Sequence, residues 1–505
     1  MPTRQKTLFF LQILILSLFV SCEKKHENIS QHLRLNIGVE PQSLDPRKAR
    51  TINDINLTKM LFDGLVRYNK DGKIECALAK VYNISKDQKS YTFYLKEAYW
   101  SNNKAITIDD FIYSYETVLS PKFICGNVNF LYVIKNAKNV KDGLLPFKEA
   151  GIKAIDQNTL VFELEKPCPY FLELLAQPIF FPINKNNDIS QPLWTNSDKN
   201  FVSSGPFILK KWKFNDYIEF VKNNNYYDST NVSLQKISCY ILQNLTEQNM
   251  FEANELDLFG SPFSFINSDS MKHLKLNKNF ISKPSFGTVF LRVNTTKIDK
   301  NLRKFLNTGI DREKIVNNIL QGGEKQTLKF VPTKEEQKIS IIKEKLEDVE
   351  ISLSFVNNEK YKLIAQAIQN DWQQNLNIKV SLNPLESKVF FSKLNNLDYD
   401  VALSTWIGDF LDPINFLEVF QYKNNSVNNT GWENQKYISC LLNSEEKISK
   451  SERKKLLIRA EEILIDENPI IPLYHMSYNF MKNDSLKNLK IYPSGFVDLK
   501  YVYFE

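Results

Sequence analysis

Residues 349–413 read VEISLSFVNNEKYKLIAQAIQNDWQQNLNIKVSLNPLESKVFFSKLNNLDYDVALSTWIGDFLDP. Residues 349–356 alternate as a strand does, residues 361–372 carry Ile364, Ile368 and Trp372 at the four-residue spacing of a helix, and residues 378–382 are strand-like again. Residues 387–394 fit a second helix and residues 399–406 a third strand. Strand, helix, strand, helix, strand implies an α/β unit with a parallel sheet and right-handed crossovers. In such sheets ligands collect in the crevice beyond the carboxyl ends of the strands. The segment that leaves the third strand is Trp406-Ile-Gly408-Asp409-Phe-Leu-Asp412-Pro413. An aromatic ring, a glycine that admits close backbone approach and two carboxylates therefore stand where a ligand would be received, although Trp406 serves equally as core and Asp412-Pro413 reads as a helix start.

Upstream, residues 33–39 form a short strand, followed by a loop with Pro41 and Pro46 and a helical segment through Met60, Leu61, Leu65 and Val66. Residues 91–95 alternate as a strand. Thr107-Ile-Asp-Asp110 reads as a capping box opening a helix with Phe111, Tyr115 and Val118 on one face and Pro121 beyond its end. This is an α+β unit. The Pro- and Asn-rich residues 178–192 mark a first crossing between lobes, and strand-like runs follow at 207–210, 217–221 and 237–242. A second boundary is expected near Gly287, after which Asp311 caps a helix carrying Ile315, Val316 and Ile319 that stops at Gly322-Gly323.

At 505 residues, 43% hydrophobic and 24% charged, the chain is too long for one ordinary domain and too mixed to be disordered. Its 65 basic and 58 acidic residues leave a net charge of +7, a diffuse bias that argues against a nucleic-acid partner. The four histidines lie outside metal-ligand spacing of one another and no cysteine pair has the C-x-x-C form, so neither metal nor cofactor is expected. Paired carboxylates, Glu40 with Asp45 or Asp409 with Asp412, lack a nucleophile with its base, and an enzyme is not expected.

Arg4 and Lys6 precede an apolar run over residues 8–20, about 20 Å of helix at 1.5 Å per residue, too short for a bilayer core of about 30 Å. Residues 1–21 therefore read as an export signal. Its end, Phe19-Val20-Ser21-Cys22, resembles a bacterial lipobox, with Cys22 the lipidation site and residues 22–32 a flexible tether; an ordinary secretory signal with a chance cysteine is the alternative. Cys76, Cys125, Cys168, Cys239 and Cys440 read as small, mostly buried apolar residues.

The chain as a whole resembles the oligopeptide-binding lipoproteins of bacterial ABC importers, in the peptide, nickel and dipeptide class of extracellular solute-binding proteins. The resemblance rests on Gly38-Val-Glu-Pro-Gln-Ser-Leu-Asp-Pro46, Leu61-Phe-Asp-Gly-Leu-Val66, Tyr91-Thr-Phe-Tyr-Leu-Lys96, Trp100-Ser-Asn-Asn, Asp110-Phe-Ile-Tyr-Ser114, Gly151-Ile-Lys-Ala-Ile-Asp156, Ser204-Gly-Pro-Phe207, Gly309-Ile-Asp-Arg312 and Tyr399-Asp-Val401 leading to Trp406 and Asp409. It implies a bilobal periplasmic-binding-protein clamp of the Venus-flytrap type with an additional α+β domain. Lobe I would combine residues 33–62, 187–286 and 476–505, the extra domain II residues 63–186, and lobe III residues 287–475.

By the same resemblance a monomer, tethered by lipid on the periplasmic side of a bacterial membrane, delivers an oligopeptide to a membrane permease and its ATPase. The carboxylate matching Asp409 holds the ligand's α-ammonium, with Trp406, Gly408, Ile52, Arg50, Asn127, Tyr361 and Leu403 at ligand-contacting positions. The chain departs from the family pattern where Tyr361, Leu394 and Leu403 replace basic groups that meet a peptide's carboxylate, where Asn127 replaces a tyrosine, and where Arg50 replaces an acid; Lys297 is a looser candidate for a cation. Arg50 is either a solvated loop charge or a cleft group favouring a ligand with a carboxylate, such as an acidic or murein stem peptide. The altered residues leave open a different solute, or a surface lipoprotein acting as adhesin or sensor.

Overall fold

The structure is a computed structural model that describes residues 30–333, 340–447 and 449–505. The export signal, Cys22 and most of the tether lie outside the described residues. Among those described, no helix is long and apolar enough to cross a membrane.

The main sheet contains strands β1 (His32–Asn36), β2 (Phe207–Lys213), β3 (Tyr217–Lys222), β4 (Lys236–Tyr240), β5 (Leu258–Gly260), β6 (Phe280–Val293), β7 (Glu350–Val356), β8 (Lys379–Leu385), β9 (Val401–Ile407) and β10 (Ile470–Lys482). They lie in the order β8-β7-β9-β6-β10-β5-β1-β4-β3-β2, and the short strand Lys325–Gln326 pairs with β10. As the alternation required, β7 pairs in parallel with both β8 and β9. The connecting helix, Glu359–Leu376, starts where the Asn358 side chain accepts the Tyr361 N–H at 2.8 Å. It ends at Asn377, which takes the left-handed conformation (φ 58°). Its stripe of Ile364, Ile368, Trp372 and Leu376 is fully buried beside Leu353 and Leu306, and the Trp372 indole N–H donates to the Leu306 carbonyl at 2.9 Å.

The two long strands β6 and β10 hold this unit to the rest. They pair antiparallel over Phe280–Pro284 with Ser477–Met481 and again over Thr288–Arg292 with Ile470–His475. The register shifts between Pro284 and Thr288, at the Gly287 region where a boundary was expected. A separate antiparallel sheet of Ala79–Ile84, Ser90–Leu95, Thr159–Glu163 and Ile152–Ala154 packs against the helix Ile108–Leu119 through Phe93, Phe162 and Tyr115. This is the additional α+β unit. The Thr107 N–H donates to the Asp110 carboxylate at 3.0 Å, as the capping-box reading requires.

One helix is shorter than its apolar spacing suggests. Ile52–Leu61 stops at Phe62, and Val66–Tyr68 is a strand paired with Ile74–Cys76. The Leu61 carbonyl, which a continuing helix would offer to the residue 65 N–H, instead accepts the N–H groups of Ser204 and Gly205 at 3.0 and 2.8 Å. This is the structural use of the Ser204-Gly-Pro-Phe207 motif. A Cβ on Gly205 would lie 2.6 Å from the Phe62 nitrogen and 2.7 Å from the Leu61 carbonyl carbon, where no flexible atom can yield. Arg67, paired with Asp63 at 2.8 Å and Asp498 at 2.7 Å, ties the same region to the chain's C-terminal segment.

The five cysteines among the described residues are unpaired; Cys168 and Cys239 are buried, whereas Cys76, Cys125 and Cys440 are half-buried and less core-like than expected. Gly205→Ala is expected to destabilise the protein by about 2–3 kcal/mol through overpacking against fixed backbone, measured as a lower denaturant midpoint with an unchanged slope.

Candidate functional site

Strand β9 ends beside the register break of β6: Trp406 pairs with Thr288 and Ile407 with Gly287. The chain then enters the loop of residues 408–413, whose backbone is held on several sides. The Gly408 N–H donates to the Phe286 carbonyl at 2.8 Å. The Asp409 N–H donates to the Asn415 side-chain oxygen at 3.0 Å, while its carbonyl accepts from the Gln177 amide at 3.1 Å. The Leu411 N–H donates to the Glu173 carboxylate at 3.0 Å. Phe410 stacks on Tyr170 with ring centroids 4.7 Å apart.

These bonds consume the loop's backbone but leave the Asp409 carboxylate without a hydrogen bond or ion pair among the described residues. Asp412 has the opposite fate. It takes two bonds from Arg453, at 2.7 and 2.8 Å, and caps the Ile414 N–H at 2.9 Å. Asp412-Pro413 is therefore a helix start, as its sequence suggested. Glu40 accepts from the Trp212 indole at 2.6 Å and the Asn215 N–H at 2.8 Å, and Asp45 pairs with Arg47 at 2.8 Å.

The free carboxylate opens into a cavity of about 850 Å³, within the range of about 300–1,000 Å³ common for ligand clefts. Arg50, Asn127, Trp406 and Asp409, more than 350 residues apart at the extremes, line it together. Trp406 is half-buried and its indole N–H donates to the Asn415 carbonyl at 2.9 Å, so the ring is a cavity wall with a fixed orientation. Arg50 is exposed, its stem lying against Gly126. Burial raises the Asp409 carboxyl to about 6 and that of Glu418, a further wall residue, to about 7, with the neighbouring Asp409 the next contributor.

Four other candidates do not reach this cavity. Leu403 is 1% exposed and belongs to the core between β6 and the helix Glu359–Leu376; strand alternation turns it inward. Ile52 packs against Gly495 at the start of its helix. The Tyr361 hydroxyl bonds to Thr405 at 2.8 Å, outside the cavity wall. Gly408 is buried, and a Cβ there would come within 2.5 Å of the Phe286 ring, so its smallness serves packing inside the protein rather than approach of a ligand. Leu394 sits in a small core cluster with Phe390 and Tyr399, and Lys297 pairs with Asp400 at 3.1 Å.

The sequence reading missed Asn415, which orients both Trp406 and Asp409, and Glu418 and Tyr170 in the wall. Asn415 and Glu418 are three apart on the short helical segment begun by Asp412-Pro413, a local signal that was present. Tyr170 arrives from another part of the chain and has none.

Residues 73–428 match the family described as bacterial extracellular solute-binding proteins, family 5. The chain belongs to this family. It is 34% identical to the oligopeptide-binding protein OppA of Bacillus subtilis over 95% of this chain and 94% of that one. Among solved structures of the family it resembles an oligopeptide-binding protein of an ABC transporter from Borrelia burgdorferi (TM-score 0.81, 28% identity, 94% and 100% of the two chains). It also resembles the murein tripeptide binding protein MppA of Escherichia coli (0.79, 27%, 94% and 99%). The fold is accordingly the bilobal clamp of periplasmic binding proteins.

Because the Asp409 carboxyl titrates near 6 in the folded chain and near 3.8 when unfolded, its contribution to stability is full below about 4 and is lost as pH rises through 6. In the ligand-free protein Asp409→Asn should therefore raise the melting temperature at pH 7.5 relative to the parent and raise it only about a third as much at pH 4.5. The difference corresponds to roughly 2–3 kcal/mol; equal effects at both pH values would contradict the assigned burial.

Proposed function

We propose that this chain captures oligopeptides for an ABC importer, with Asp409 receiving the peptide's α-ammonium. The observation that carries the reading is a carboxylate withdrawn from bulk water in a ligand-sized cavity, its backbone fully engaged and its oxygens unpartnered. An ammonium entering such a site loses hydration worth several kcal/mol, which a fixed carboxylate with further hydrogen bonds offsets. Family membership and the names of the relatives support the same substrate class.

Binding, rather than covalent chemistry, fits the way the other carboxylates near the loop are committed to capping and ion pairs. The proposed lobe I (33–62, 187–286 and 476–505) and lobe III (287–475) meet at the break in β6 and β10, with domain II as residues 63–186; closure there around a peptide presents the surface that a permease reads. Cys22 would carry the lipid that keeps the protein at the membrane, on its periplasmic side.

Asp409→Ala is expected to lower peptide affinity at least tenfold, about 1.4 kcal/mol, in isothermal titration calorimetry. N-acetylated peptides should bind correspondingly worse than free ones, whereas C-terminal amidation should matter less than threefold, since neither Tyr361, Leu394 nor Leu403 offers a cation. Binding that is indifferent to N-acetylation would refute the amine-anchor role. Native mass spectrometry of protein isolated from its own cells would weigh the cargo and distinguish a linear oligopeptide from a murein stem peptide.

A further inference from the structure

The cavity that holds Asp409 contains a second carboxylate which an α-ammonium alone leaves unanswered. Its charged lining consists of Asp409, Glu418, Glu165, Glu445, Arg50 and Lys166. Glu445 is paired with Lys166 at 3.0 Å, and Glu165 accepts the Asn136 N–H at 2.7 Å. Glu418, like Asp409, has no hydrogen bond or ion pair to its carboxylate among the described residues. It comes from the turn Glu418–Phe420 that directly follows the helix Ile414–Leu417, and its own backbone carbonyl is held by the Asn425 side chain at 3.1 Å. The carboxylate is thus fixed at its base, withdrawn from bulk water and directed by its wall position toward the same space as Asp409.

Two like charges enclosed together repel, and the arrangement is stable only when two positive charges, or protons, enter with them. The carboxyl value of Asp409 is raised by burial, and that of Glu418 by burial and next by Asp409. A peptide brings one positive charge in its α-ammonium. The second that can lie within one residue of it is the side chain of the first residue. The wall between is aromatic, with Phe130, Tyr132, Tyr170 and Trp406, and accommodates the methylene stem of a lysine or arginine while the charged head reaches a carboxylate.

We infer that Glu418 is a specificity-determining residue that selects peptides whose first residue carries a cationic side chain. The inference rests on the peptide-capture reading and adds to it the chemistry of the first side-chain pocket. Arg50 is exposed at the rim of the same cavity and forms no ion pair with Asp409 or Glu418 among the described residues; the penalty for an acidic first residue comes from those two carboxylates.

The test uses the full mature protein and mixtures of peptides two to six residues long, alanine throughout except for a first residue of lysine, norleucine or glutamate. Affinities are measured by calorimetry and competitive native mass spectrometry at pH 7.5. The unaltered protein should bind lysine-first peptides at least tenfold more tightly than norleucine-first ones of equal length, with glutamate-first peptides weakest. Glu418→Gln, close to isosteric, should reduce the lysine-over-norleucine ratio to below threefold; Asp409→Asn should weaken all three. Peptide binding without a preference for lysine, or a preference that survives Glu418→Gln, overturns this inference alone. Failure of every peptide to bind overturns it together with the peptide-capture reading. The comparison of peptides on the unaltered protein needs no variant to fold.

Discussion

A single desolvated carboxylate organises the site. Moving an ionised group out of water is costly unless other charges or hydrogen bonds offset the loss, and nearly every acidic group near the 408–413 loop meets that requirement within the protein. Asp412 has Arg453, Glu173 has the Leu411 N–H, Glu445 has Lys166. Asp409 does not, and the reason is geometric: Asn415 and Gln177 take its backbone N–H and carbonyl, which fixes the residue while directing no donor at its side chain. The fold therefore holds an electrostatically unfavourable group in a rigid frame.

The frame depends on elements distant in sequence. Gln177, Glu173 and Tyr170 belong to the segment that follows the small antiparallel sheet, whereas Asn415 and Trp406 belong to the parallel unit. The two sides of the cavity wall, distant in sequence, share one hydrophobic core, joined directly by the stacking of Tyr170 on Phe410. Buried ion pairs of Arg67 with Asp63 and Asp498 tie the C-terminal segment that follows β10 to the early part of the chain.

The parallel unit was legible because its signals are local: the stripe of Ile364, Ile368 and Trp372 and the alternation of residues 349–356 each occupy one element and report one buried face. That a cavity lies beside the loop leaving β9 was legible for a related reason, since in such sheets crevices form beyond the carboxyl ends of the strands. Failures came where a non-local partner decides the outcome. The helix through Leu61 stops because Ser204 and Gly205 claim its last carbonyl from some 140 residues away. Leu403 and Ile52 carry no mark in the sequence that separates a buried wall from a cavity wall, and correspondence with relatives could not supply one. Gly408 looked like a ligand-facing glycine, yet its neighbour is the ring of Phe286, 122 residues earlier.

That ring belongs to a residue with two backbone obligations. The Phe286 N–H donates to the Pro493 carbonyl at 2.6 Å, and its carbonyl accepts from Gly408 at 2.8 Å, inside the interval where β6 and β10 lose register. One residue is thus clasped on one hand by the C-terminal segment and on the other by the loop that carries Asp409. Any swivel about that interval drags the loop along as a lever arm.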